Sequence, residues 1–66
     1  MIYTNEIGVE IILNPKNIFA LECEPFSLTI TAIPIGADNS EIRLRFADQN
    51  EYETFKNQLL KEMLRY

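Results

Sequence analysis

Two stretches of the chain alternate strictly between apolar and polar or small residues: Leu28-Thr29-Ile30-Thr31-Ala32-Ile33 and Ile42-Arg43-Leu44-Arg45-Phe46. A period of two is the mark of a strand with one buried face. It predicts strands over about 27–34 and 41–46. Ile42, Leu44 and Phe46 then face inward, and Arg43 and Arg45 face the other way. Thr29 and Thr31 likewise oppose Ile30. Upstream, Val9-Glu10-Ile11-Ile12-Leu13 is short and β-branched, which predicts a strand over 8–13. Met1 to Thr4 begins extended, giving a strand over 1–5. Ile18 to Cys23 is too short for a stable helix and lies between two proline turns, so it reads as a strand over 18–23.

The breaks between these runs carry turn chemistry. Asn5-Glu6-Ile7-Gly8 ends in a glycine able to take positive φ. In Asn14-Pro15-Lys16-Asn17, the proline has no ladder donor and pushes Asn14 out of the helical region. Glu24-Pro25-Phe26-Ser27 is a further turn, Pro34 ends a strand or marks an edge, and Gly36-Ala37-Asp38-Asn39-Ser40 is the most loop-like segment.

A different period begins after Asp48. Tyr52, Phe55, Leu59 and Met63 recur at helical spacing and predict a helix over about 49–65. Asp48 with Glu51 three residues on fits a capping box. Glu51 and Glu53 near the start, and Lys61 and Arg65 near the end, suit the helix dipole. The fold class is therefore α+β, one domain over 1–66. An antiparallel β-meander of four to five strands is followed by one C-terminal helix packed on the sheet, because short connections join antiparallel neighbours.

Size sharpens what such a domain needs. Sixty-six residues bury a marginal core, and small domains lean on disulfides, metals or oligomerisation. Cys23 is the only cysteine and there is no histidine, so an internal disulfide and an ordinary zinc site are both out. Good packing or self-association is left. Leu60 and Leu64 widen the apolar arc of the helix to about half of its circumference at ~100° per residue. Ile12, Ile33 and Ile35 fall off the main core face. These five residues form the expected protein interface, since contiguous exposed apolar surface marks an interaction site. A homodimer, or docking to another protein, is the expectation.

The candidate chemistry is mostly absent. The two glycines are isolated, so no phosphate loop or other cofactor-binding motif exists, and without histidine there is no Ser-His-Asp or Cys-His set. No enzyme activity and no cofactor are expected. Glu22 and Glu24 flank Cys23 and argue against an activated thiol. If Phe19, Leu21 and Cys23 share the inner face, Cys23 is a small core residue. Glu22, Glu24 and Glu41 lack calcium-loop spacing, so no metal is expected.

Ten acids against six bases give a net charge of −4, which opposes non-specific nucleic-acid binding. A local patch is still open. Arg43 and Arg45, with Thr29 and Thr31, would line the outer face and offer bidentate phosphate contacts to a single strand. Tyr3 is the nearby aromatic for base stacking. The alternative for that face is ion pairing with Glu10, Glu22 or Glu41. A signal peptide and a membrane span are both absent from the pattern, and the free cysteine fits a reducing compartment, so the expected location is cytoplasmic.

Gly8, Leu13-Asn14-Pro15, Ile18, Glu22, Pro25 and Leu28-Thr29-Ile30 together resemble the small flagellar FlbD family over roughly the first half of the chain. The Ile35–Ser40 loop is longer here, and the helix is longer and more apolar. The segment from Ile42 to Leu60 is similar to the final strand and capping helix of pleckstrin-homology-like domains. Both resemblances imply binding or scaffolding rather than catalysis.

Overall fold

The structure, a computed structural model, describes residues 1–36 and 40–64. The order is β1 (Ile2–Thr4), β2 (Glu10–Ile12), a 3-10 turn (Pro15–Asn17), β3 (Ile18–Glu24), β4 (Thr29–Pro34), β5 (Ile42–Arg45) and α1 (Gln49–Met63). This is an α+β fold: five strands in two antiparallel sheets, followed by one helix. The first sheet is the hairpin β1-β2; the second has the order β3-β4-β5.

The meander breaks between β2 and β3 for a local reason. A two-residue hairpin turn would keep the strands paired, but Pro15 starts a turn of 3-10 helix instead. Asn14 Oδ1 accepts from the Lys16 N–H at 3.2 Å and caps that turn. The other turns follow their residues more directly. Gly8 takes φ 87°, and the Asn5 side chain accepts from the N–H groups of Ile7 and Val9.

Hydrogen-bonded pairs alternate along an antiparallel ladder. Phe46 N–H donates to Leu28 O at 3.0 Å, and the register pairs Ile30 with Leu44 and Ala32 with Ile42. Those two pairs are therefore bonded as well. Thr29, Thr31 and Ile33 turn their backbone groups to Glu24, Glu22 and Ala20 of β3. Side-chain faces follow the same register. Leu21, Cys23, Ile30, Ala32, Ile42 and Leu44 share the inner face, while the outer face carries Glu22-Thr31-Arg43 and Glu24-Thr29-Arg45 as two rungs.

One irregularity sits at the start of β3. Ile18 pairs with Pro34, yet Ala20 pairs with Ile33, so one extra residue is accommodated between them. That residue is Phe19, which the bulge leaves 75% exposed. The expected inner-face trio of Phe19, Leu21 and Cys23 is thus broken. Cys23 shares its face with Leu21 but is exposed at the open end of the sheet rather than a core residue.

Helix and hairpin together cover the inner face. Tyr52 and Leu59 of α1 are fully buried. Tyr52 joins Tyr3, Leu13, Ile30 and Leu44 in one cluster, and Leu59 joins Ile18 and Ala32 in a second. Phe55, Met1, Leu21 and Ile42 pack against both. Four edge-on or tilted ring contacts link Tyr3, Phe46, Tyr52 and Phe55, with centroids 5.3 to 6.1 Å apart. Asp48 Oδ1 accepts from Glu51 N–H at 2.8 Å, as an N-cap should. The helix ends at Met63, with Leu64 as its C-cap; Arg65 and the loop residues 37–39 lie outside the described residues.

Candidate functional site

The 3-10 turn is the junction around which the expected apolar interface is arranged. Its Asn17 carbonyl accepts from Ile35 N–H at 2.7 Å, its N-cap follows directly on the Ile12-Leu13 end of the hairpin, and α1 packs on it. Ile12 is 78% exposed, Ile35 62%, Leu64 70% and Leu60 38%. Ile33 belongs elsewhere. It pairs with Ala20 on the outer face of the sheet and is half-buried. Four of the five expected residues therefore sit on elements that meet at this turn, and one does not.

Other large apolar side chains are exposed too, Ile2 beside Ile12 at the junction and the rest away from it. Ile2 stands on the hairpin opposite Ile12, Ile7 and Val9 flank the Gly8 turn, and Phe26 projects from the β3-β4 turn. Phe26 was legible only as a turn residue, because nothing local distinguishes an exposed turn phenylalanine from one that folds back.

The arginine face has a specific electrostatic layout. Arg43 and Arg45 are exposed on the β5 side, and Glu22 and Glu24 are exposed on the β3 side of the same face. Buried Thr29 and Thr31 separate the two columns. Two strand spacings put the acidic and basic strands roughly 9–10 Å apart, backbone to backbone. Thr29 Oγ1 donates to Ser27 O at 3.0 Å and is not turned to solvent. Tyr3, the aromatic expected beside this face, is buried in the core instead.

A cleft of about 510 Å³ lies between the hairpin and α1, lined by Ile2, Thr4, Phe46, Phe55, Thr54 and Gln58 among others. Glu6 and Glu51 are its carboxylates, and both are exposed. Two solvated acids without histidine or a buried polar partner give no acid-base pair of the usual kind. Among the described residues, no group of three or more histidine, cysteine or acidic side chains is placed to hold a metal ion. No helix among them is long and apolar enough to cross a membrane.

Among the described residues, the one buried side-chain nitrogen or oxygen without a hydrogen-bond partner is Tyr52 Oη. Burial raises the Tyr52 pKa above its ordinary value of 10.0. The neighbouring Cys23 adds to the rise, and Lys56 opposes it. The thiol is near enough to act on the phenol but does not meet it in hydrogen-bonding geometry. Lys56 Nζ lies 5.5 Å from the Tyr52 ring centroid and 3.3 Å from Glu53 Oε2.

No family model, curated protein or solved structure matches this chain. The resemblances to the FlbD and pleckstrin-homology-like families therefore rest on the quoted residues alone. Function has to be argued from the surfaces just described.

Proposed function

We propose that this chain is a small non-catalytic protein-interaction or scaffolding domain that self-associates through the apolar end formed around the 3-10 turn. The observation that carries it is the exposure of Ile12, Ile35 and Leu64 by 78%, 62% and 70% on elements meeting at that turn, beside Leu60. A chain of 66 residues gains most from covering such surface, because its own core is small. The absence of histidine and the solvated carboxylates of the cleft support a binding role over catalysis. The single exposed thiol fits a reducing compartment, so we assign the domain to the cytoplasm.

Single-stranded nucleic-acid binding through Arg43 and Arg45 ranks second. The exposed arginine pair favours it, while Glu22 and Glu24 on the same face, the burial of Tyr3 and the net charge of −4 weigh against it.

Sedimentation equilibrium over a concentration series tests the leading reading. The expected result is a dimer that Ile35→Asp/Leu64→Asp converts to a folded monomer. A parent chain that stays strictly monomeric up to roughly 1 mM, the weak limit of specific association, would sink self-association.

A further inference from the structure

The sheet has two edges, and they are not equivalent. On the β5 side the backbone groups of Arg45 point away from β4, and the Tyr3 hydroxyl takes both of them. It donates to Arg45 O and accepts from Arg45 N–H at 3.0 Å. Among the described residues, no such cover lies on the β3 side. Glu22 and Glu24 spend their backbone groups on Thr31 and Thr29. By alternation Leu21 and Cys23 turn theirs outward, along a strand that contains no proline and no lysine. The regular stretch of this edge past the Phe19 bulge, Ala20 to Glu24, is a template for an added strand.

We propose that the open edge of β3 binds an extended basic segment of a partner protein as a fourth, antiparallel strand. The segment carries Arg or Lys at two alternate positions with apolar residues between and after them. Its apolar residues pair with Cys23 and Leu21 and exchange hydrogen bonds with them. Its basic residues stand opposite Glu24 and Glu22, both exposed on the outer face. Those are the non-hydrogen-bonded positions, where Cα atoms of an antiparallel pair approach to about 4.5 Å and cross-strand side chains interact best. Antiparallel addition continues the pairing of the whole sheet.

The chain's own Arg43-Leu44-Arg45 has this alternation, but it already lies on the far side of the sheet, where its apolar residues bond β4 and Tyr3 holds the outward groups of Arg45. A second copy of β3 is a poor occupant. Every antiparallel register that pairs the outward groups of two β3 strands sets Glu22 or Glu24 of one copy directly or diagonally against those of the other. A basic partner removes that conflict. This inference goes beyond self-association through the apolar end and holds for a monomer or a dimer alike.

The test uses the full chain and a labelled heptapeptide, Thr-Val-Arg-Val-Arg-Val-Thr with blocked ends, followed by fluorescence anisotropy. Saturable binding is expected. Glu22→Lys/Glu24→Lys, both at exposed sites, should weaken it more than about tenfold. Circular dichroism of that variant should match the parent. N-methylation of the two valines opposite Cys23 and Leu21 should abolish binding, whereas N-methylation of the arginines should leave it within about threefold, since their N–H groups face away. Equal binding of the valine-methylated peptide would reduce the effect to charge attraction and overturn the proposal. So would equal binding of a peptide with glutamate in place of arginine, or no binding at all up to roughly 1 mM. Protection of the Leu21 and Cys23 amides from hydrogen exchange in the free protein would also overturn it, because the edge would already be paired with a second copy.

Discussion

The hydroxyl of Tyr3 holds the backbone of Arg45 at both its donor and its acceptor, across 42 residues of sequence. This bond pair ties the hairpin to the sheet and caps β5 at Arg45, one of its two residues whose backbone groups face away from β4. Tyr3→Phe keeps the ring in its contacts with Phe46 and Phe55 and removes only the hydroxyl. Two partly buried backbone groups lose their partner, which should destabilise the fold by about 1–3 kcal/mol in urea denaturation. The same change uncaps β5. Its freed Arg45 backbone groups become available to the outward Leu21 and Cys23 groups of another copy, a head-to-tail contact that does not close. Light scattering should show Tyr3→Phe growing with concentration beyond any dimer. A variant with unchanged stability and unchanged size distribution would show that the bond pair does neither job.

Tyr52 poses the opposite case, a buried hydroxyl with nothing to bond. Tyr52→Phe removes an unsatisfied group without opening a cavity, so stability at neutral pH should hold or rise by up to about 1 kcal/mol. Tyr52→Ala should cost about 3–5 kcal/mol, as for other large aromatic deletions. The pH dependence follows from the raised pKa. The unfolded phenol ionises near its ordinary 10.0, while burial keeps the native one protonated to higher pH. The native state therefore binds more protons in that window, and stability falls as pH rises from 10.0 toward the native pKa. Below it the contribution is fully present. Chemical denaturation between pH 8 and 11 should show this alkaline fall in the parent and a smaller one in Tyr52→Phe. Equal slopes would remove Tyr52 as the cause.

Local signals made much of this fold legible. The alternation of residues 29–33 and 42–46, the proline turns and the Asp48 cap each act within a few residues, and strands and helix appear where they point. What escaped were features decided at long range or by single backbone choices. Leu28 continues the apolar alternation, yet it adopts φ 53° and belongs to the turn, so β4 begins at Thr29. Tyr3 read as an outer-face aromatic because a strand pattern cannot say which layer the hairpin joins. At the candidate sites, the outward arginines of β5 followed from period two. The capped state of their edge did not, since it depends on Tyr3 arriving from the other sheet. The open edge of β3 was equally hidden, because strand order is not written in any one strand.

The bulge at Phe19 is the last feature with a sharp consequence. One extra residue lies between the Ile18–Pro34 and Ala20–Ile33 pairs. Deleting Phe19 joins those pairs into a regular ladder. Ile18 keeps its inward place beside Leu59 and Ala32, and Ala20 keeps its outward place. The deletion removes an exposed ring and no buried contact, so it should fold, with stability within about 1 kcal/mol of the parent. Deleting Glu22 instead shifts every earlier residue of β3 by one. Leu21 then turns outward, and burial at one end of the sheet is lost. That variant should be unfolded or lose most of its stability. Amide hydrogen exchange decides the comparison. Protection of the Ala20 amide retained without Phe19, and lost without Glu22, is the expected pattern. If both deletions unfold the chain, the bulge is needed to aim the 3-10 turn and is more than a tolerated insertion.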